Sequence, residues 1–493
     1  MVKLLRSEDR QVRRAQCKIS FLNYQHGKIS IFCYIIVVFS ILSNVVYSQQ
    51  NYVLKLPNGE ISRINDSITS VEFMNTTLHH YYLHGYALAI WQLDSIGKIN
   101  ASRYIGYYTL QPGKIIQCDS ILYGLEKRIR PKILSAMLDW KKGKVFIFED
   151  FEKDVSAINQ SNWISISPPQ LYFQDEKVSL RLRPEFKKSN EISALLGLQP
   201  STNGKSTLIG DFHFLFRNAL HHAEKIEVQW QRQALNTQRL QLEFNLPYCF
   251  GSPMGIGAKG DIYRRSDQFL QTQAKMAIQY YTRPSQTSEI FIHQQSTIAL
   301  NNGSNSNITQ RTVGAQIQYQ WKRPSCSLSL LSSYSRGSRM LQSQEALFTS
   351  PITITDHSLS ISPFWRKFFL SSQLRYWFQS PTAEQSTEWK RIGGNATFRG
   401  FQQESIFART GVIIQNALGV GNENTQQFFL FMDYGQLNST AYSDFREFWS
   451  WGLGAFIQTA NGGIQMNYGW GKFPNQRMEY RNGIVNLSYQ VYF

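Results

Sequence analysis

The chain has 493 residues, of which 42% are hydrophobic, 14% aromatic and 17% charged, and its formal net charge is +17. The aromatic content excludes a disordered chain, and the lack of long apolar stretches beyond the N-terminus excludes a helical membrane protein. Five cysteines are too few for a disulfide-stabilised scaffold of this length. The length alone would fit about three average domains.

The N-terminus is typical of a secretory signal peptide. Basic residues are concentrated in residues 1–28, and an apolar run follows over residues 29–47, ahead of Ser48. We predict a signal peptide at residues 1–48; the alternative is a single membrane anchor, for which a run of about 18 residues is barely long enough. Cleavage would leave a net charge of about +12, with Lys and Arg scattered singly, which argues against nucleic acid as a partner.

Residues 49–187 mix helical and strand patterns, which predict two small α+β modules, at 49–120 and 121–187. In the first module, a helix at 71–82 is expected to end at Gly85 and to precede strands at 86–92 and 103–110. In the second, the expected elements are two helices and two strands, at 133–140, 151–158, 171–173 and 178–182.

From residue 188 to the C-terminus the hydrophobic pattern has a period of two. In one segment Val313, Ile317 and Trp321 alternate with glycine and glutamine. About sixteen such segments begin near residues 192, 206, 223, 237, 254, 270, 287, 310, 325, 354, 368, 405, 426, 450, 462 and 483. Several reach lengths at which a tilted strand can cross a bilayer, about 9–11 residues, whereas strands of soluble sandwiches have about 5–6.

We therefore predict a transmembrane β-barrel of about 16 antiparallel strands over residues 188–493, preceded by the two α+β modules. The expected outer face is apolar and aromatic, and the expected lumen is lined by Gln, Asn, Ser and Thr. Long external loops are expected at 301–307, 340–353 and 382–404. The predicted location is the outer membrane of a Gram-negative bacterium, with the modules in the periplasm.

Several segments of the predicted barrel resemble the BamA/TamA-like outer-membrane assembly family, of the bacterial surface antigen type. Residues 391–401, RIGGNATFRGF, resemble its GG-x-x-x-[VL]-R-G-[FY] loop, with a phenylalanine in place of the usual aliphatic residue. Residues 431–435, FMDYG, resemble its F-x-D-x-G strand, and residues 246–253 resemble a turn after an early hairpin. The chain end resembles the family's C-terminal barrel signal at Tyr489, Val491 and Phe493.

The resemblance implies POTRA modules ahead of a sixteen-stranded barrel whose long loop folds back into the lumen. The implied loop motif comprises Gly393, Gly394, Phe398, Arg399, Gly400 and Phe401. In the family the loop arginine pairs with acidic residues of the inner wall. Here Arg399 would meet Asp433, which strand alternation places in the lumen, near Gly435. A second lumenal acid common in the family is replaced by Gln415, a weakened partner. The alternative is that Arg399 is an ordinary solvated loop arginine.

Other short motifs do not indicate an enzyme, a metal or a cofactor. Residues 255–260 fit G-x-G-x-x-G, but the pattern continues as a strand instead of opening a helix. His80 and His84 have a spacing that zinc can use, but no carboxylate accompanies them in the pattern. The G-x-S-x-G signature of a lipase is absent from the sequence. We expect a protein without enzymatic activity.

The resemblance implies an outer-membrane factor that aids the insertion or passage of client proteins. The alternatives are a dedicated two-partner-type secretion pore and a passive solute channel. The loop at Arg399 favours a protein-handling role, since a simple channel does not need it, and a weakly paired seam between the first and last strands could template a client strand. The expected partners are outer-membrane lipid, unfolded or secreted client proteins, and an inner-membrane or periplasmic accessory protein.

Overall fold

The computed structural model describes residues 51–492, except 101–102, 124–127, 201–205, 233–236, 267, 301–306, 324, 343–346, 381–384, 422–425, 440–443, 460–461 and 477–482. The chain divides into two compact units. One unit contains residues 51–120, 143–149 and 168–182, and the other contains residues 121–142, 150–167 and 183–492. The boundaries predicted at 120 and 187 therefore stay predictions, and the predicted signal peptide at 1–48 lies outside the described residues.

The first unit begins with a four-stranded sheet in the order β2-β1-β4-β3 and one helix. Its elements are β1 (Asn51–Lys55), β2 (Ile61–Ile64), α1 (Ser67–Leu83), β3 (Ile90–Asn100) and β4 (Arg103–Gln111). Asp66 caps α1 by accepting a hydrogen bond from the backbone N–H of Thr69 at 2.9 Å. Met74 and Leu78 are buried on its sheet-facing side. The helix predicted at 71–82 is confirmed, but the next strand begins at Ile90 because residues 86–89 form a turn.

The elements that follow are β5 (Gln117–Tyr123), α2 (Pro131–Met137), α3 (Phe148–Asn159), β6 (Ile164–Ile166), β7 (Gln170–Gln174), β8 (Lys177–Leu182) and β9 (Pro184–Phe186). They include a three-stranded sheet in the order β5-β8-β7 and a two-stranded sheet of β6 and β9. Both predicted helices and both predicted strands are present, and the strands form a hairpin around Asp175, which has φ of +52°. None of the helices in the described ranges is both long and apolar enough to cross a bilayer.

The second unit contains a closed antiparallel barrel of seventeen strands, sixteen of them long and one of three residues. Its strands are β10 (Glu191–Pro200), β11 (Ser206–Arg217), β12 (Lys225–Arg232), β13 (Thr237–Leu246), β14 (Met254–Arg265), β15 (Phe269–Arg283), β16 (Gln286–Ala299), β17 (Asn307–Arg323), β18 (Cys326–Gln342), β19 (Leu347–Trp365), β20 (Phe368–Ser380), β21 (Lys390–Ile392), β22 (Ile406–Gly421), β23 (Gln426–Ser439), β24 (Phe445–Thr459), β25 (Gly462–Lys472) and β26 (Ile484–Tyr492).

The predicted transmembrane barrel of about sixteen strands is thereby confirmed. Most strands begin within three residues of the predicted positions, but β19 begins at Leu347 instead of 354 and β24 at Phe445 instead of 450. The expected long loop at 340–353 is wrong, since β18 and β19 extend through most of it. Neighbouring strands satisfy each other's backbone hydrogen bonds, as a bilayer requires.

Strand alternation divides the barrel into an outer and a lumenal face. On β23, Phe428, Leu430 and Met432 are more than half exposed, whereas Phe431 and Asp433 are buried. The other strands repeat this alternation, with large exposed apolar residues such as Ile290 on β16 and Met276 on β15. The outer face is therefore the lipid-facing surface that the composition predicted.

The lumen differs from the prediction along β20–β25, where aromatic rings accompany the polar residues. Several of these rings lie in close contact with glycines of the wall. A Cβ atom on Gly454 would lie 2.2 Å from the ring of Phe429, and one on Gly419 would lie 2.7 Å from the ring of Phe369. Glycine permits this close approach between ring and backbone, and the ring covers backbone that glycine leaves bare.

The seam between the first and last barrel strands is short. β10 pairs with β11 along its whole length, from Glu191 to Pro200. Across the seam, the paired residues in the described part of the chain are Glu191 with Tyr492 and Ile192 with Val491. The barrel closes, but among the described residues fewer are paired here than between β10 and β11.

Candidate functional site

The loop between β20 and β22 lies inside the barrel, and its described part starts at Gln385. A 3-10 turn at Ser386–Glu388 leads into β21, which pairs with the first residues of β22. Gly393 and Gly394 then turn the chain with φ of +119° and +88°. A Cβ atom on Gly393 would lie 2.1 Å from the carbonyl oxygen of Gln402, so the turn requires glycine there. The Thr397 hydroxyl closes the turn by donating to the Gly393 carbonyl at 2.7 Å.

Two phenylalanines of the loop form the centre of a buried cluster inside the barrel. Phe398 and Phe401 are completely or almost completely buried, with ring centroids 4.7 Å apart. They pack with wall residues that include Trp377 and Phe448. Gly435 makes room for them, because a Cβ atom there would lie 2.8 Å from the Phe398 ring. The phenylalanine at 398 thus fills a buried site among apolar residues of the wall.

Arg399 and Asp433 form a buried ion pair between the loop and the wall. The Arg399 Nε and Nη2 atoms donate to the two oxygens of Asp433 at 3.0 and 2.5 Å. The backbone N–H of Arg399 donates to the same carboxylate at 3.1 Å, and Nη2 also donates to the carbonyl of Asn416. The guanidinium lies 4.3 Å from the ring centroid of Phe431. Since the Asp433 side chain is 0% exposed and that of Arg399 is 11% exposed, the pair is well shielded from water.

Gln415 lies directly across from Asp433 in the pairing of β22 with β23. Its side-chain amide donates to Asp433 at 3.3 Å. Because glutamine is an uncharged hydrogen-bond donor, it stabilises the Asp433 carboxylate without adding a second negative charge. Gln415 therefore belongs to the cluster as a neutral partner of the wall acid.

A second attachment, which was not predicted from the sequence, connects the loop to the opposite wall. Glu404 accepts a hydrogen bond from Arg239 of β13, whose Nε and Nη2 also hold Asp261 of β14 at 3.1 and 2.5 Å. Glu404 also lies 3.6 Å from Arg391 of β21, and Arg391 donates to Gln271 of β15 at 2.8 Å. The side chains of Arg239, Arg391 and Glu404 are all at least three-quarters buried, so this attachment also lies inside the barrel.

A third attachment holds the beginning of the loop. Glu388, whose side chain is 0% exposed, receives paired hydrogen bonds from Nε and Nη2 of Arg339 on β18, at 2.7 and 2.8 Å. Gln310 of β17 donates to the same carboxylate at 2.5 Å. We call the groups around Asp433, Glu404 and Glu388 the first, second and third clamps. Together they hold the loop to several separate parts of the barrel wall.

Charged residues on the predicted lumenal face were a sequence signal for the second and third clamps. Arg239, Asp261 and Arg339 are charged residues within strands of a chain that has few charges. The pairing of Arg239 with Glu404 spans 165 residues of sequence and that of Arg339 with Glu388 spans 49, so the pattern of each strand alone does not indicate either pair.

The remaining predicted site residues lie at the chain end. Tyr489 and Val491 are on β26, where they pair with Ile464 and Gly462 of β25. Phe493 lies outside the described residues. Within the described ranges, no group of three His, Cys, Asp or Glu residues is placed to hold a metal ion. The ion pairs of the three clamps attach the loop to the barrel wall.

Comparisons with known proteins place the loop in a matched region. The family described as "Haemolysin secretion/activation protein ShlB/FhaC/HecB" matches residues 292–457, which include the first and third clamps and Glu404. No curated protein matches the chain. The more specific resemblance to the BamA/TamA-like family is not confirmed by this match.

Solved structures similar to the chain include two proteins named CdiB. CdiB from Escherichia coli is 14% identical with a TM-score of 0.60, covering 100% of this chain and 97% of that one. CdiB from Acinetobacter baumannii is 13% identical with a TM-score of 0.57, covering 99% and 98%. BamA from Haemophilus ducreyi lacking POTRA domains 1-3 has 11% identity and a TM-score of 0.47, covering 87% and 94%. The chain therefore has the fold of the two CdiB structures along essentially its whole length.

Proposed function

We propose that this chain is an outer-membrane transporter that passes a dedicated, unfolded protein substrate through its barrel in a Gram-negative bacterium. The N-terminal modules receive the substrate in the periplasm, with an accessory protein of the periplasm or inner membrane where one is needed. The role is non-enzymatic, since holding and releasing a polypeptide requires no bond to be broken.

The observation that carries this proposal is the loop held inside the lumen by three clamps. A passive solute channel needs an open lumen and gains nothing from a loop attached there by buried ion pairs. A protein transporter must stay closed to small solutes until its substrate arrives. Ion pairs suit this task, because entering water and polypeptide can solvate the separated charges. The match to secretion/activation proteins over 292–457 supports the same role.

A second candidate function is assembly of other outer-membrane proteins, and the short seam favours it. An unpaired strand edge is a template for another strand. The two residue pairs described between β10 and β26 leave most of β10 available on that side. A client strand could add to this edge if the seam opened. Transport of one dedicated substrate is better supported than assembly, because it also accounts for the clamped loop and for the family match.

Deletion of the gene in its native bacterium, followed by mass spectrometry of the culture supernatant and of the outer membrane, separates these roles. Dedicated secretion predicts the loss of one secreted protein with an otherwise unchanged outer membrane. Loss of several barrel proteins from the outer membrane would establish assembly instead. Unchanged proteomes together with altered solute uptake would contradict both and indicate a channel. Re-expression of the wild-type chain controls for effects on neighbouring genes.

A further inference from the structure

A basic cavity of about 780 Å³ lies at the end of the barrel that carries the short turns. Its lining comes from β10, β11, β17 and β24 and from the segments next to α3 and β9. These strands are separated around the barrel, so the cavity lies across the mouth of the lumen. The lining contains five cationic side chains and one carboxylate: Lys187, Lys188, Arg217, Lys322, Arg323 and Glu191.

The single carboxylate is already engaged with another group. Glu191 lies 3.2 Å from Nδ1 of His213, whose Nε2 lies 2.8 Å from Glu227. Lys187 instead donates to the backbone carbonyls of Asn159 and Ser161, at 3.2 and 2.9 Å. Partial burial and the neighbouring charge of Lys322 lower the pKa of Lys187. The positive charges therefore exceed the negative ones at this mouth and repel one another.

Uncharged amides line the same cavity. Asn162 follows α3 and Gln458 lies at the end of β24, whereas Asn159, the last residue of α3, and Gln160 already hydrogen-bond to the backbone of Ile166 and of Lys322. Side-chain amides can both donate to and accept from a peptide backbone, whatever the sequence of that peptide. Cations and amides together fit an extended chain that carries carboxylates.

We propose that this cavity is a docking site for an acidic, extended segment of the transported polypeptide as it enters the barrel. This inference rests on the proposed function and names the chemistry of its substrate. A cleft lined by one sign of charge raises the local concentration of an oppositely charged partner and speeds its association. Anionic lipid is the less suitable occupant, because the cavity lies across the lumen mouth and the lipid-facing surface of the barrel is apolar.

The test is binding of a fluorescent peptide to the full-length protein in detergent, measured by fluorescence anisotropy. The probes are a flexible peptide of alternating glutamate and serine and the matched peptide of glutamine and serine. The cavity variant is Lys187→Gln, Lys188→Gln and Arg323→Gln. The matched control removes three exposed cations at the opposite end of the barrel, by Arg264→Gln, Arg311→Gln and Lys472→Gln.

We expect the glutamate peptide to bind the wild type and the control equally, and the cavity variant at least about tenfold more weakly. Binding should weaken as salt rises above about 0.1 M, where charges separated by more than about 10 Å are screened. The charge-retaining variant Lys187→Arg and Lys188→Arg should keep the affinity. Migration on unboiled gels checks that each barrel is folded.

Equal binding of the glutamate peptide by cavity and control variants would overturn the proposal, as would equal binding of the glutamine peptide. Binding of vesicles containing phosphatidylglycerol that is lost only in the cavity variant, without loss of peptide binding, would assign the cavity to lipid instead. These results do not depend on secretion in the cell, so they are separable from the outcome of the gene deletion.

Discussion

At the scale of single residues, Asp433 is the group on which the first clamp depends. It accepts hydrogen bonds from the backbone N–H, Nε and Nη2 of Arg399 and from the amide of Gln415. A carboxylate with 0% exposure is costly to bury unless it is paired in this way. The planar guanidinium reaches both oxygens at once, which the single ammonium group of lysine cannot do.

Arg399→Ala should destabilise the folded barrel strongly, because it leaves Asp433 buried without its cation. The expected loss in the free energy of unfolding is about 3–5 kcal/mol. Arg399→Lys should recover part of it. The measurement is urea unfolding of the purified protein in detergent, followed by migration on unboiled gels. The control is Arg366→Ala, since Arg366 is exposed in a turn. Equal unfolding curves for the two alanine variants would contradict the clamp.

At the scale of elements, the loop connects strands on separate sides of the barrel through the lumen. The clamps attach it to β13, β18 and β23, with further contacts to β15 and β17. The second clamp shares one glutamate between two arginines that have other partners. Arg239 retains Asp261 and Arg391 retains Gln271 when the glutamate is neutralised. This clamp should therefore be easier to open than the first.

Glu404→Gln should loosen the loop on the β13 side while the barrel stays folded. We expect a loss in the free energy of unfolding of about 1–3 kcal/mol, smaller than that of Arg399→Ala, because no buried charge loses all of its partners. The mean conductance of single barrels in planar bilayers should rise. Glu447→Gln, at an exposed position on β24, is the control. A conductance indistinguishable from that of the control would show that Glu404 does not hold the loop.

The seam is the other element that carries function, and locking it separates the two candidate roles. Ile192→Cys with Val491→Cys joins register partners of β10 and β26. Opposite residues of antiparallel strands have Cα atoms about 4.5–5.5 Å apart, within the range of a disulfide. In a background whose native cysteines are serine, transport through the lumen predicts unchanged secretion after oxidation.

Loss of secretion that returns on reduction would contradict transport through a closed barrel and would favour seam opening. The control disulfide joins Phe216→Cys of β11 to Ile226→Cys of β12, which are also register partners. This disulfide does not join the first and last barrel strands, so it should leave secretion unchanged whether or not the seam opens during transport.

At the scale of the whole molecule, the two faces of the barrel should respond differently to added charge. Ile317, 57% exposed on the outer face of β17, lies next to Gln318 on the lumenal face. An arginine near the middle of the lipid-facing surface costs about 2–4 kcal/mol, whereas a lumenal arginine keeps its contact with water. Ile317→Arg should therefore reduce the folded fraction in lipid vesicles, measured on unboiled gels, and Gln318→Arg should not. Equal folded fractions would contradict the assigned faces.

Much of the barrel was predictable because its pattern is local. A strand in a bilayer must turn alternate residues toward lipid, and this requirement shows within each segment of about ten residues. The first residues of β11, β13, β14 and β20 coincide with the starts that this pattern predicted. β19 extended further than expected because Phe348 and neighbouring residues lie beyond the alternating part that marked it.

Only the first clamp of the candidate site was predictable from the sequence, because its residues belong to recognisable motifs. The double glycine at Gly393 and Gly394 indicated a tight turn, and the alternation on β23 placed Asp433 in the lumen, where Arg399 also lies. Alternation does not reveal which faces are filled by rings, since β23 has phenylalanine on both faces. The aromatic part of the lumen therefore became visible only with the wall glycines that receive the rings.

The sequence by itself determined the strands, their two faces and the loop motif, because each depends on neighbouring residues and on the bilayer. The tertiary structure decided which charges meet. Glu404 and Arg239 are 165 residues apart, and Glu388 and Arg339 are 49 apart. Their contact exists only once the sheet has closed and the loop has turned inward. The basic mouth of the barrel has the same origin, since the segment after β9 and the ends of β11 and β17 bring their lysines and arginines together only when the barrel has closed.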